Sequence, residues 1–215
     1  MSKLLAVLLL TCLAVSCFAA DTREILLKGY KFYQNQGIKN YSAVLKSEPA
    51  NPLVTKTTIH WQDTGKVSYE LEFTANCPDA QKQMMKDAMK ETMIIPEQMT
   101  DNLLKDFNIT ELKEMPNAVS LTMEPKDPNS PLKKQIHVYD KSGKMIGQRI
   151  ISVNPQVSSD ATVKFNYLKS GNFEVLERQE CRTKVKMKNP APGATSEIET
   201  ENSSVTVFSD YQINQ

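Results

Sequence analysis

Between Leu132 and Val153 the chain reads as two strands and a turn, and this hairpin constrains everything around it. In the first arm Leu132, Ile136 and Val138 fall on alternate positions, with Lys133, Gln135 and His137 between them. A period of two predicts a strand with Ile136 and Val138 on its buried face and His137 on its wet one. Asp140-Lys141-Ser142-Gly143 supplies the turn, because Asp bonds its own backbone and Gly accepts positive φ. The second arm, Met145 to Val153, carries Ile146, Ile150 and Ile151.

The same logic recurs along the chain. Alternating sets occur at Tyr41, Ala43 and Leu45; at Thr57, Ile59 and Trp61; and at Val67, Tyr69, Leu71 and Phe73. Further sets are Val119, Leu121 and Met123; Ala161, Val163, Phe165 and Tyr167; Phe173 and Val175; Val185 and Met187; and Val205, Val207 and Tyr211. Gln62-Asp63-Thr64-Gly65 joins two of these as a hairpin. Strands at such spacing predict an α+β fold, mainly antiparallel β, whose sheet of about ten strands curls into a barrel or half-barrel.

Two regions break the pattern. Asp21 and Glu24 resemble a capping box, Leu26, Tyr30 and Tyr33 then line one face, and Gly37 is the stop, which predicts a helix over 22–36. From Pro78 to Met93 helix formers dominate, and Met85, Met89 and Met93 stack at i, i+4 and i+8. Pro96 ends that helix and opens a second, to about Asp106, which brings Met99, Leu103, Leu104 and Phe107. Methionine is flexible and polarisable, so this concentration fits either an ordinary core face or a surface that takes varied apolar partners.

The first twenty residues predict a secretory leader: Lys3, an apolar run from Leu4 to Val15, then Ser16, Ala19 and Ala20. The run is shorter than a membrane span needs. Cutting after Ala19 makes residues 1–19 the signal peptide and 20–215 a single exported domain. The alternative is Ala14-Val15-Ser16-Cys17 as a bacterial lipobox, which would acylate Cys17 and anchor the chain, although Ala14 stands where Leu is usual. Lys and Arg number 26 against 25 Asp and Glu, and Lys3 leaves with the leader. Such a balance argues against nucleic-acid binding. Beyond the leader only Cys77 and Cys181 remain, and an even pair in an oxidising compartment predicts a disulfide, worth about 4–5 kcal/mol for so long a loop.

No catalytic constellation emerges. His60 and His137 sit mid-strand without a neighbouring carboxylate or Cys in sequence, and no nucleophile elbow, zinc pair, phosphate loop or dinucleotide fingerprint occurs. The chain therefore reads as a binder: no enzyme, no cofactor, no metal.

Three local patterns carry a resemblance: Gly37-Ile38-Lys39-Asn40-Tyr41-Ser42-Ala43, Leu121-Thr122-Met123-Glu124-Pro125-Lys126 and Ser209-Asp210-Tyr211-Gln212-Ile213-Asn214. Together with the order of helix, strands, helical interruption and meander, the chain resembles the LolA/LolB-like superfamily of outer-membrane lipoprotein carriers and sorting proteins. The resemblance implies a half-barrel with three helices over its concave face, a periplasmic location, and an apolar hollow for lipid or lipoprotein acyl chains. It places Met85, Met89 and Met93 on the lid and Val67, Tyr69, Leu71, Phe73, Ile136, Val138, Val163 and Phe165 on the wall. It implies a monomer that meets a membrane-bound donor or acceptor protein. The carriers' lid-latching arginine has no counterpart here. Three readings stay open: a carrier, a sensor or regulatory protein of the same fold, and a ligand-free cell-envelope interaction protein.

Overall fold

A computed structural model describes residues 21–188 and 196–214. The expected leader, Cys17 and residues 189–195 lie outside the described residues. Eleven strands form one antiparallel sheet: β1 Asn40–Glu48, β2 Val54–Gln62, β3 Lys66–Phe73, β4 Thr92–Met93, β5 Phe107–Met115, β6 Ala118–Pro125, β7 Leu132–Asp140, β8 Met145–Val153, β9 Val157–Ser170, β10 Phe173–Lys188 and β11 Glu197–Ile213. Their order is β4-β3-β2-β1-β11-β10-β9-β8-β7-β6-β5, so β4 and β5 are unjoined edges and the sheet is open. Helices are α1 (21–30), α2 Phe32–Asn35, α3 Asp79–Ala88 and α4 Pro96–Asp106. Among the described residues no helix is long and apolar enough to cross a membrane.

The central hairpin forms as expected. Asp140 Oδ1 accepts from the Ser142 and Lys144 backbone N–H groups at 2.9 and 3.0 Å, and Gly143 takes φ +95°. The two faces of β7 are reversed, however. His137 and Tyr139 are 3% and 2% exposed and form the covered face, so the expectation for Ile136 and Val138 is corrected. Strand register decides it. Leu112, Leu121, His137, Gln148, Val163 and Cys181 form one row across β5–β10 on the helix side. Ile136 belongs to the opposite row, with Glu111, Thr122, Arg149, Thr162 and Arg182; Val138 keeps company with Ser120, Gly147, Lys164 and Glu180.

The physical reason is α1. Leu26 is fully buried against Leu121 and Tyr139. Gly29 meets the Tyr139 ring so closely that a Cβ there would lie 2.4 Å from Cε1. Lys28 Nζ donates to the Lys141 carbonyl at 2.8 Å, pinning the helix to the hairpin turn. Outside α1 lies α4, held by the Arg23–Asp101 and Lys31–Glu97 ion pairs and by Leu103 and Leu104 in the same core.

Other differences are local. α3 stops at Ala88, and Met93 lies on β4, paired with Lys66 and 55% exposed, so it leaves the expected methionine stack. Phe107, expected on the second helix, opens β5; that strand was missed because a bulge between Ile109 and Glu111 interrupts its alternation. The two short sets around Val175 and Val185 are one long strand, β10. Cys77 and Cys181 are both free thiols, against the expected bridge. Three strands (β2, β1, β11) separate β3, just before Cys77, from β10, and neighbouring strands are about 4.8 Å apart, whereas a disulfide needs Cα atoms within about 7 Å.

Gly29→Ala should therefore lower stability by about 1–3 kcal/mol, since the tight approach to Tyr139 cannot hold a methyl group. A thermal melt of the variant, against Gly147→Ala as a control with only ordinary contacts, measures it.

Candidate functional site

Two hollows lie along the inner face of β1–β3. Paired rows on that face are Tyr41, Trp61 and Val67, then Ala43, Ile59 and Tyr69, then Leu45, Thr57 and Leu71. Alternation explains the run, because each strand turns its bulky set toward the helices and its Lys, Glu and Ser set outward.

The first hollow, of about 600 Å³, is a groove between α3 and the far ends of these strands. Its apolar lining is Leu45, Val54 and Leu71 from the sheet, Met85 and Ala88 from α3, and Met89 just past its end; Lys46, Glu48 and Lys56 stand at its polar border. No residue of α3 is buried, so this helix rests on the sheet without a core of its own. The helix carries Lys82, Lys86 and Lys90 beside its methionines, and Lys86 Nζ lies 6.0 Å from the Phe73 ring centroid.

The second hollow, about 270 Å³, lies under α1 and α2. It is aromatic: Tyr30, Tyr33, Tyr41, Trp61, Tyr69 and Tyr167 border it, with Val67 and Ile94. Tyr41 and Trp61 stack with ring centroids 5.5 Å apart, and Tyr33 meets both edge-on. Burial pushes the Tyr33 phenol up to about 12, so it stays neutral, and its oxygen accepts from the Leu176 N–H at 3.3 Å. The Tyr167 hydroxyl donates to the Met145 carbonyl at 3.0 Å. Tyr33 and Tyr167 thus present apolar rings to the hollow with their hydroxyls tied to backbone.

The other half of the inner face is packed around Val163 and His137, with a further hollow of about 410 Å³ where Ile25 and Lys28 of α1 meet Val119 and Tyr139. Val163 is buried there, and Phe165 lies one row along, paired with Gln179. His137 is enclosed by polar neighbours: Nδ1 lies 3.2 Å from the Tyr139 hydroxyl, and Nε2 lies 3.1 and 3.0 Å from the side-chain amides of Gln135 and Gln148. Desolvation lowers its pKa to about 4, so the ring is neutral at physiological pH. His60 behaves differently: on the outer face, its Nε2 lies 3.3 Å from Glu70 Oε1. Among the described residues no three His, Cys, Asp or Glu side chains gather as metal ligands.

Of the expected site residues, Leu71, Met85 and Met89 meet at the groove and Val67 and Tyr69 at the aromatic hollow; Phe73 lies at the end of β3 nearby. Val163 and Phe165 sit in the packed half, Ile136 and Val138 on the outer face, and Met93 on β4. Leu45, Val54, Ala88, Tyr30, Tyr33, Tyr41 and Trp61 were missed as site residues, although the first-helix and strand periodicities had put most of them on inward faces.

No family model matches this chain, and no curated protein sequence matches it. Solved structures similar to it include the following two. One is a domain described as an outer-membrane lipoprotein-sorting protein from Vibrio parahaemolyticus, at 11% identity and a TM-score of 0.44, covering 87% of this chain and 92% of that one. The other is a LolA superfamily protein from Nitrosomonas europaea, at 9% identity and a TM-score of 0.44, covering 90% and 94%.

The neutral His137 generates a pH dependence. A base whose folded pKa falls from 6.5 to about 4 binds its proton more readily when unfolded. Its contribution is intact above pH 6.5 and lost as pH drops toward 4, about 3 kcal/mol in all. Urea titrations across that window should show His137→Gln with a shallower acid decline than the wild type.

Proposed function

We propose that this protein is a non-enzymatic binding or carrier protein of the cell envelope that holds a hydrocarbon chain, from a lipid or a lipidated protein, between α3 and β1–β3. The observation that carries the reading is the 600 Å³ groove roofed by Met85 and Ala88, from a helix with no buried residue, and by Met89 at its C-terminal end. Its volume lies in the range of about 300–1,000 Å³ common to small-ligand sites. Binding there needs no chemistry, since each buried methylene contributes about 0.8 kcal/mol before the losses of association.

Release follows from the same geometry. A roof of flexible methionines on a helix without a core can shift by side-chain rearrangement and a small rigid movement, at low cost in lost packing. The aromatic hollow lies further along the same sheet face, one paired row beyond Leu45, Thr57 and Leu71, so a chain entering under α3 points toward Tyr69 and Trp61. The sequence-based expectation of an exported, periplasmic protein fits this role, as does its resemblance to the lipoprotein carriers. Hand-over would then take place with a membrane-bound donor or acceptor.

Native mass spectrometry of the protein from its own cells should show an added acyl-chain mass, and an apo mass with no uptake of the lipophilic dye N-phenyl-1-naphthylamine would overturn the reading. Met89→Asp should weaken dye uptake by about tenfold or more, because a carboxylate in the roof must be desolvated when a chain binds. Ile136→Thr, on the outer face, should leave uptake unchanged.

A further inference from the structure

Part of β11 forms an unusual edge of the sheet, beyond the end of β1. β11 pairs with β10 from Glu197 opposite Lys188 to Val207 opposite Arg178. On its other side β1 reaches only to Glu48, opposite Val205, and the chain then leaves through Pro49, which lacks a donor. Residues 197–204 consequently have no strand beside them on that side among the described residues. All eight are exposed. An extended edge of this length presents a row of unpaired N–H and C=O groups.

This edge lacks the usual protections. Within 197–204 there is no Pro, Lys or Arg, and the register with β10 runs without a bulge. Its charges are instead ordered by strand. On the outer face β10 contributes a basic column, Lys188, Lys186 and Lys184, directly opposite the acidic column Glu197, Glu199 and Glu201 of β11. Lys186–Glu199 and Lys184–Glu201 approach to 3.3 and 3.8 Å, with every partner more than half exposed. The acidic column has a basic neighbour on one flank alone. On the inner face Met187 and Ile198 pair across the ribbon and remain 37% and 41% exposed.

We infer that residues 197–204 are a docking edge for an extended segment of a partner protein, with Lys or Arg at alternate positions and apolar residues between. Such a strand continues the line of β1. Its basic residues complete the column beside Glu197, Glu199 and Glu201, and its apolar residues cover Ile198. The main chain supplies hydrogen bonds and the alternation supplies register and specificity. A second copy of this chain fits less well. Pairing that keeps the two outer faces on one side brings the glutamate columns of both copies together, where like charges repel.

The purified protein is titrated with a fluorescein-labelled peptide of alternating Lys and Val, about eight residues long, and with the same peptide N-methylated on alternate amides. The alternating peptide should bind at least about tenfold more tightly than the N-methylated one and should slow hydrogen exchange at residues 197–204. Reversing the column with Glu199→Lys and Glu201→Lys, both exposed, should reverse the preference toward an alternating Glu and Val peptide. Equal binding of the N-methylated peptide, or no binding, would overturn the inference; so would sedimentation showing a dimer that the double reversal dissociates.

Discussion

The contact on which the molecule depends is that between α1 and the inner face of the central hairpin. Gly29 lets the helix backbone sit on the Tyr139 ring, Leu26 fills the space beside Leu121, and Lys28 caps the turn at Lys141. An open sheet cannot stabilise its own concave face, because without a cover that apolar surface stays in water. Placing α1 there buries Tyr139 and gives α4 something to rest on. It also decides which side of every other strand is inside, since register propagates one choice from β7 to the neighbouring strands.

That contact also divides the inner face. Around Leu26 the face is packed with Leu121 and Tyr139, and the buried His137 imidazole has polar partners on both nitrogens. Where α3 lies, the roof is built of Met, Ala and Lys, with no close-approach glycine and nothing buried. The groove under α3 exists because that helix docks without burying any of its residues, whereas α1 approaches the sheet closely at Gly29. The difference between them is a Cβ and a few branched side chains.

Particular residues show how far the linear pattern could be read. Val67, Tyr69 and Leu71 were legible, because β3 carries only polar side chains on its other face and both alternatives agreed. The first helix was legible from Leu26, Tyr30 and Tyr33. Ile136 and Val138 were misread because β7 bears apolar groups on both faces: Tyr139 and a hydrogen-bonded His137 compete with two aliphatics, and alternation does not rank them. Met93 was misread because Met85, Met89 and Met93 satisfy helical spacing, yet Lys66 and Val67 recruit Thr92 and Met93 into the sheet. The disulfide failed for a topological reason, since two cysteines in sequence carry no information about the three strands between them.

The chain by itself determined its period-two segments, the turns at Asp140–Gly143 and Gln62–Gly65, the helical interruption, and hence a mainly antiparallel sheet with helices to one side. Those follow from local backbone preference and side-chain alternation, which act over a few residues. The tertiary structure alone decided which face is concave, where the packing is solid, and where the groove under α3 stays open. Those outcomes depend on which surfaces approach one another across the sheet, and that distance is set by side chains far apart in sequence.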